Sequence, residues 1–262
     1  MSDDSRAGVY AAPAQTRWET VTHYSVVNST NDVALRMVAD TGQAHVVVTA
    51  NSQTQGRGRL GRPWVHTIQT GVTPQSLAVT ATLLAPQNAP VVPLAAGLAA
   101  YDACVALGVE PALKWPNDLL LSGRKAAGIL VERVPINNFD LVVIGTGFNV
   151  DWRDVTRESD QNWISLAEEA GSTVDQDVLL SSYLVALDRW LDELATVAGL
   201  ERLLRQYRAC CVTLGQPVTV NLADSRQLHG VAVAIDDAGQ LCLERDGTLI
   251  TVTSGDVWHG VG

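Results

Sequence analysis

An α+β fold ending in a small β-barrel is what this sequence predicts, and three observations predict it. Strand-like and helix-like segments follow one another without a regular βαβ alternation. After Gly215 the pattern changes to short strands separated by turn residues, the texture of a small β-barrel. At 262 residues, 47% hydrophobic and 18% charged, the chain is long and apolar enough to bury a large core, in one main domain plus a small one.

The elements follow in order. Residues 1–20, rich in Ala, Pro, Ser and Asp and without periodicity, predict a mobile tail. Ser29-Thr30-Asn31-Asp32 followed by Val33, Leu35, Met37 and Val38 predicts an amphipathic helix, with Ser29 or Thr30 as N-cap and Asp32 in the first turn. The β-branched run 45–50 predicts a buried strand, and 51–64 a glycine-rich loop. Residues 77–84 alternate as a strand, and the alanine-rich, periodic stretch 91–107 is a helix. Three more strands are expected at 112–121, 127–134 and 141–144, then helices at 165–169 and 174–198. Past a domain boundary near residue 213, the short strands 218–222, 228–235, 240–245 and 248–252 are spaced by turn signals such as Asp246-Gly247. The main domain thus covers 21–212 and the small one 213–262.

Composition narrows the function classes. A net charge of −10 argues against a nucleic-acid-binding surface. Cys104, Cys210, Cys211 and Cys242 show no CxxC pair or metal-ligand spacing and read as core residues in a reducing cytoplasm. His23, His45, His66, His229 and His259 are scattered, which disfavours a metal site or a catalytic triad. The acidic, polar start is no signal peptide, and no stretch is expected to reach the eighteen or so apolar residues of a membrane span. A cytoplasmic protein is the expectation.

The chemistry gathers in four segments. Gly56-Arg57-Gly58-Arg59-Leu60-Gly61-Arg62 sets three arginines among three glycines, in an acidic protein. Glycines let backbone amides approach a ligand, and guanidinium forks match phosphate and carboxylate oxygens, so this loop is expected to be mobile when empty and ordered by an anion. In Lys114-Trp115-Pro116-Asn117-Asp118 a cation, an aromatic face, a carboxamide and a carboxylate stand together at a strand end, suited to a nucleotide and its metal. Lys125 heads a run that turns apolar through Gly128 and Ile129. Finally, the strand Ile144-Gly145-Thr146-Gly147-Phe148-Asn149 offers a close-approach site with a polar ligand at its end; without a third glycine it does not make a dinucleotide fingerprint. Lys114 and Lys125 are the only lysines among eighteen fixed cations, and a compact ammonium binds anionic oxygen as a point charge where arginine is a rigid fork.

GRGRxGR, KWPND, KxAGIL and GxGxN in this order, from about Ser29 to the C-terminus, resemble the biotin-protein ligases. The resemblance implies an α+β catalytic domain of the class II aminoacyl-tRNA synthetase kind, a mixed sheet with flanking helices, plus a small SH3-like C-terminal barrel. It implies adenylation of biotin by MgATP and transfer of the biotinyl group to a lysine of a biotin carboxyl carrier domain. It would put Ser29, Thr30, Asn31, Gln53, Gly56, Arg57, Gly58, Arg59, Lys125 and Gly128 on the biotin side, with Lys125 and Arg59 catalytic. Arg62, Trp64, Lys114, Asn117, Asp118 and Asn149 fall on the ATP side, with Asp118 a Mg²⁺ ligand. Asn51, where the family has glutamate, and Gln55, where it has a small residue, depart from the pattern. The 28 residues before Ser29 are too few for a helix-turn-helix module, so a monofunctional enzyme is expected, as a monomer or weak homodimer. A lipoate-protein ligase is the competing enzyme reading. A biotin sensor that binds without releasing pyrophosphate is the competing non-enzyme reading.

Overall fold

A computed structural model describes residues 5–64, 74–155 and 162–259. Two sheets organise it. The larger has eight strands in the order β1-β2-β3-β4-β8-β7-β6-β5, and the smaller five in the order β12-β11-β10-β9-β13. In the first, β2 (Thr20–Val27) runs parallel to β3 (Val47–Gln53), and every other neighbouring pair is antiparallel, from β1 (Ser5–Ala11) through β4 (Gln75–Leu84), β8 (Phe139–Asp151), β7 (Arg124–Ile136) and β6 (Asp118–Leu121) to β5 (Pro111–Lys114). It is a mixed sheet, as an α+β chain requires.

Two-residue alternation divides its faces. On β3, Val47 joins the main core, while Val48 and Ala50 face α1 (Thr30–Thr41), whose Val33, Ala34 and Val38 they pack against. The opposite face is covered by α2 (Val92–Ala106), α4 (Gln176–Glu193) and α5 (Val197–Cys210), with α3 (Leu166–Ala170) beside β8. The stretch Ala89–Ala106 is apolar and long enough to cross a membrane, against the sequence expectation. Two thirds of it, 67%, is buried here, and small alanines let it lie between the sheet and α4 as a core helix.

Several elements differ from their expected form. Residues 5–11, expected within a mobile tail, form β1 on β2, because the ladder partner lies outside the segment and leaves no periodic trace. Arg17 then bonds Asp188 and Asp192 of α4 at 2.5 and 2.7 Å, and Trp18 is buried with its indole N–H on the Thr82 carbonyl. Met1 to Asp4 and His66 lie outside the described residues. The single strand expected at 112–121 is the hairpin β5–β6, in which Lys114 pairs with Asp118 around Trp115-Pro116-Asn117, with a cis Trp115–Pro116 peptide. The helix expected at 174–198 is two helices: Thr196 caps α5 by accepting from Gly199 N–H, which continues the helical run to Cys210. The α1 N-cap position is Ser29, but its side chain makes no capping bond; Gln53 Oε1 instead accepts from Thr30 N–H at 2.8 Å.

The small sheet carries β9 (Pro217–Asn221), β10 (Gln227–Ile235), β11 (Leu241–Arg245), β12 (Thr248–Val252) and the unforeseen β13 (Asp256–His259), all antiparallel. Trp115, buried at 2% exposure, ties the sheets together through its indole N–H on the Gly239 carbonyl at 3.0 Å. All four cysteines are thiols, and burial pushes Cys104 up to about 12, so it is inert core.

Candidate active site

A cavity of about 580 Å³ opens where the loop after β3, the β5–β6 turn, the middles of β7 and β8, and β13 converge. Every residue carried over from the family pattern lines it, except Gly56. Gly56 closes the base of the loop: its carbonyl accepts from Trp64 N–H at 2.7 Å, and a Cβ there would meet the Trp64 carbonyl at 2.2 Å. The arginine loop is drawn into a small hairpin by that bond, by Gly58 N–H on the Arg62 carbonyl and by an Arg57–Pro63 bridge.

The glycines of the third and fourth segments make room for side chains of the site itself. Gly128 on β7 and Gly147 on β8 are cross-strand partners, and added Cβ atoms would come within 2.9 and 2.5 Å of the Trp64 ring. The indole therefore lies against bare backbone, giving the cavity an apolar wall. Gly145 leaves the same space for Asn31, whose carboxamide bonds Thr80 and Glu132. Ser29, Thr30 and Asn31 are buried, and Thr30 hydroxyl bonds Thr80 and Gln53, so this end is a pre-formed polar network.

Charge is distributed unevenly. Lys125 Nζ lies 2.5 Å from Asp118 Oδ1 and 5.4 Å from the Trp64 ring centroid. Arg57 pairs with Asp32 at 2.5 Å, and Arg62 with Asp256 of β13. Arg59 has no carboxylate partner among the described residues: its guanidinium donates to Asn117 Oδ1 and the Gly255 carbonyl. Lys114 likewise rests on the Trp258 ring, 5.9 Å from the centroid. Burial holds both Arg59 and Lys114 below their ordinary ranges, with Asp256 opposing it first at Arg59 and Asp118 first at Lys114. Five cations thus face three carboxylates, and the two left over are inside the cavity. Such a site is electrostatically prepared for anions.

Asn117 braces this arrangement by donating to the Ile129 carbonyl at 2.9 Å. Asn149 donates to the carbonyls of Lys125 and Ile164, both at 3.1 Å, and keeps a buried Oδ1 without a hydrogen bond among the described residues. Sequence reasoning missed two parts of the lining. Asn162 and Trp163 arrive because Lys125 N–H bonds the Asn162 carbonyl, a bridge between distant segments. Residues 256–259 arrive on β13, whose four residues are too short for a period to show.

Residues 24–149 match the biotin/lipoate A/B protein ligase family, and residues 213–260 match the biotin protein ligase C-terminal domain. The chain is 34% identical over 247 residues to the biotin–[acetyl-CoA-carboxylase] ligase of Mycobacterium tuberculosis, across 92% of this chain and 90% of that one. The chain belongs to the biotin protein ligase family. A second biotin–[acetyl-CoA-carboxylase] ligase, from Paracoccus denitrificans, is 31% identical over 89% of this chain and 98% of its own. Against the bifunctional ligase/repressor BirA of Escherichia coli the identity is 31%, over 88% of this chain and 71% of that one. The biotin protein ligase of Aquifex aeolicus, solved with biotin and ATP, shares the fold with a TM-score of 0.76 at 22% identity, covering 92% of this chain and 99% of that one.

Within a biotin protein ligase the cavity has two unlike ends. The glycine-floored Trp64 wall and the Asn31–Thr80 network suit a ring with polar edges, and the Arg59–Lys114–Lys125 cluster suits carboxylate and phosphate.

Proposed function

We propose that this chain joins biotin to ATP, giving biotinyl-5′-AMP and pyrophosphate, and then passes the biotinyl group to one lysine of the biotin carboxyl carrier domain of acetyl-CoA carboxylase. The observation that carries this reading is the pair Arg59 and Lys114, cations without carboxylate partners among the described residues, in a cavity that also holds Lys125. Residues 21–212 would carry the biotin and nucleotide, and 213–262 would close the ATP side through β13.

Two anions must meet for adenylation. A biotin carboxylate oxygen attacks the α-phosphorus, the bond to the β-phosphate oxygen breaks, and pyrophosphate leaves with its electron pair. Charge accumulates on the pentavalent phosphorus group, so cations set in place beforehand stabilise the transition state more than either ground state. Arg59 and Lys125 take that role, and Lys114 and Arg62 hold the departing phosphates. In the second step the neutral carrier amine attacks the acyl carbon, the bond to the phosphate oxygen breaks, AMP leaves, and the amine proton goes to solvent.

Magnesium fits this donor set. Asp118 Oδ1 and Asp256 Oδ2 are buried carboxylate oxygens, each met among the described residues by a single cation, Lys125 and Arg62, and Mg²⁺ takes one or two carboxylates together with substrate phosphates. Asp118, with Asp256 as second carboxylate, would hold it, and it would screen triphosphate charge. Among the described residues no group of three His, Cys, Asp or Glu forms a cage, in keeping with a metal brought by the nucleotide.

The test is incubation with biotin, ATP, magnesium and a candidate carrier domain, read by streptavidin blot and pyrophosphate release. Biotin-dependent labelling is expected. Pyrophosphate release driven by lipoate and not by biotin would overturn the substrate assignment, and biotin binding without pyrophosphate release would overturn the enzymatic one.

A further inference from the structure

Asp32 takes no part in the mechanism above, yet it makes the best-defined contact of the arginine loop. It sits in the first turn of α1, and both its oxygens are used: Arg57 Nη1 donates to Oδ2 at 2.9 Å and Nη2 to Oδ1 at 2.5 Å. Parallel donation from a planar fork fixes orientation as well as distance. Next to it, Gln53 Oε1 accepts from the backbone and hydroxyl of Thr30, and Thr54 and Gln55 N–H groups bond the Val27 and Asn28 carbonyls. The first limb of the loop is therefore strapped to the start of α1, and the Arg57–Asp32 pair is the outermost buckle of the strap. With Arg57 turned to α1, the next arginine, Arg59, reaches Asn117 and the Gly255 carbonyl inside the cavity.

We propose that Asp32 is a positioning residue for the arginine loop: by holding Arg57 against α1 it sets the hairpin so that Arg59 reaches the reacting anions. The two arginines divide the work. Arg57 faces a protein carboxylate at a half-exposed position, and Arg59 faces the ligand. The proposal rests on the adenylation reading, but its first test needs no activity. Arg36, one turn along α1, adds positive charge near Asp32, and an acid in the first turn also favours the helix dipole, so the experiment must separate the pair from a general charge effect.

Trypsin cleaves after the loop arginines and reads the strap in ligand-free enzyme. Cleavage after Arg57 and Arg59, the loop arginines not followed by proline, is expected to quicken about two- to fivefold in Asp32→Asn, the range of a single half-exposed ion pair, and to return to the parental rate in Asp32→Glu. With saturating biotin and MgATP, kcat for pyrophosphate release is expected to stay near the parental value while KM for biotin rises by a similar factor. In an Arg57→Gln background, Asp32→Asn is expected to add nothing to cleavage after Arg59 or to KM for biotin. An unchanged cleavage rate in Asp32→Asn would overturn the proposal, and so would full additivity with Arg57→Gln, or a fall in Tm with KM for biotin unmoved. Absence of pyrophosphate release from the parental enzyme would count against the adenylation reading alone and leave the cleavage result standing.

Discussion

Lys125 and Asp118 stand on adjacent strands of the β6–β7 hairpin with ammonium and carboxylate 2.5 Å apart, beneath the Trp64 ring. The pair holds a point charge at the centre of the cavity without neutralising the cluster around it. Arg59 and Lys114 remain without carboxylates among the described residues, so this part of the cavity carries net positive charge.

Lys125→Ala is expected to lower the rate of pyrophosphate release by about a hundred- to a thousandfold, the loss seen when one preorganised electrostatic group is removed. Lys125→Arg is not expected to restore it, because a planar fork cannot replace a compact ammonium against Asp118 and the Trp64 face. Stopped-flow or coupled pyrophosphate assays decide the matter; a Lys125→Ala enzyme retaining a tenth of parental activity would count against this role.

The alkaline limb of the pH profile reports Lys114. Burial lowers its pKa, opposed in part by Asp118. A lowered pKa means the neutral amine forms earlier as pH rises, so KM for ATP is expected to climb before the ordinary lysine range near 10.4 is reached. Lys114→Arg stays charged there and is expected to move the climb to higher pH, with KM for biotin unaffected. Superposable profiles for the two proteins would assign the titration to another group.

Gly145 and Gly147 lie two residues apart on β8 and predict different outcomes. A Cβ at Gly147 would strike the Trp64 indole at 2.5 Å, on the half-buried wall of the cavity. Gly147→Ala is expected to raise KM for ATP about tenfold or more with little change in Tm, a tenfold change corresponding to about 1.4 kcal/mol of binding. A Cβ at Gly145 would meet the buried Asn31 Oδ1 at 2.6 Å, inside the Thr80–Glu132 network. Gly145→Ala is expected to cost about 1–3 kcal/mol of stability as overpacking, visible in urea unfolding. Equal behaviour of the two variants would contradict the geometry.

Biotinyl-5′-AMP acylates free amines, and both lysines of this chain are engaged in the cavity, Lys125 with Asp118 and Lys114 on Trp258. The enzyme's own labelling during turnover is expected to be sparse by mass spectrometry, and Arg245→Lys on the exposed end of β11 is expected to add a labelled site. Heavy labelling of the parental chain would refute this protection.

Much of the site was legible because its chemistry is local. Lys114 to Asp118 and Gly56 to Arg62 each put unlike functional groups within a few residues, and a turn or a glycine-rich loop keeps such neighbours together whatever the rest of the chain does. Helix α1 was legible because its buried residues recur at helical spacing, and α2 because its apolar run is alanine-rich and too long for a buried strand. Trp163 and Asp256 were not legible, since each enters through a backbone ladder with a segment far away in sequence.

The sequence by itself determined the inventory: two lysines, a glycine-arginine loop, a KWPND turn, and apolar periods enough for an α+β core. Tertiary structure alone decided which cation faces a protein carboxylate and which is left for a ligand. It also decided that residues 5–11 join the sheet as β1, and that β13 brings Asp256 and Trp258 to Arg62 and Lys114 in the cavity. The physical reason is range: periodicity and turn chemistry act over a few bonds, whereas strand pairing and ion pairing are settled only when distant segments compete for the same edge or charge.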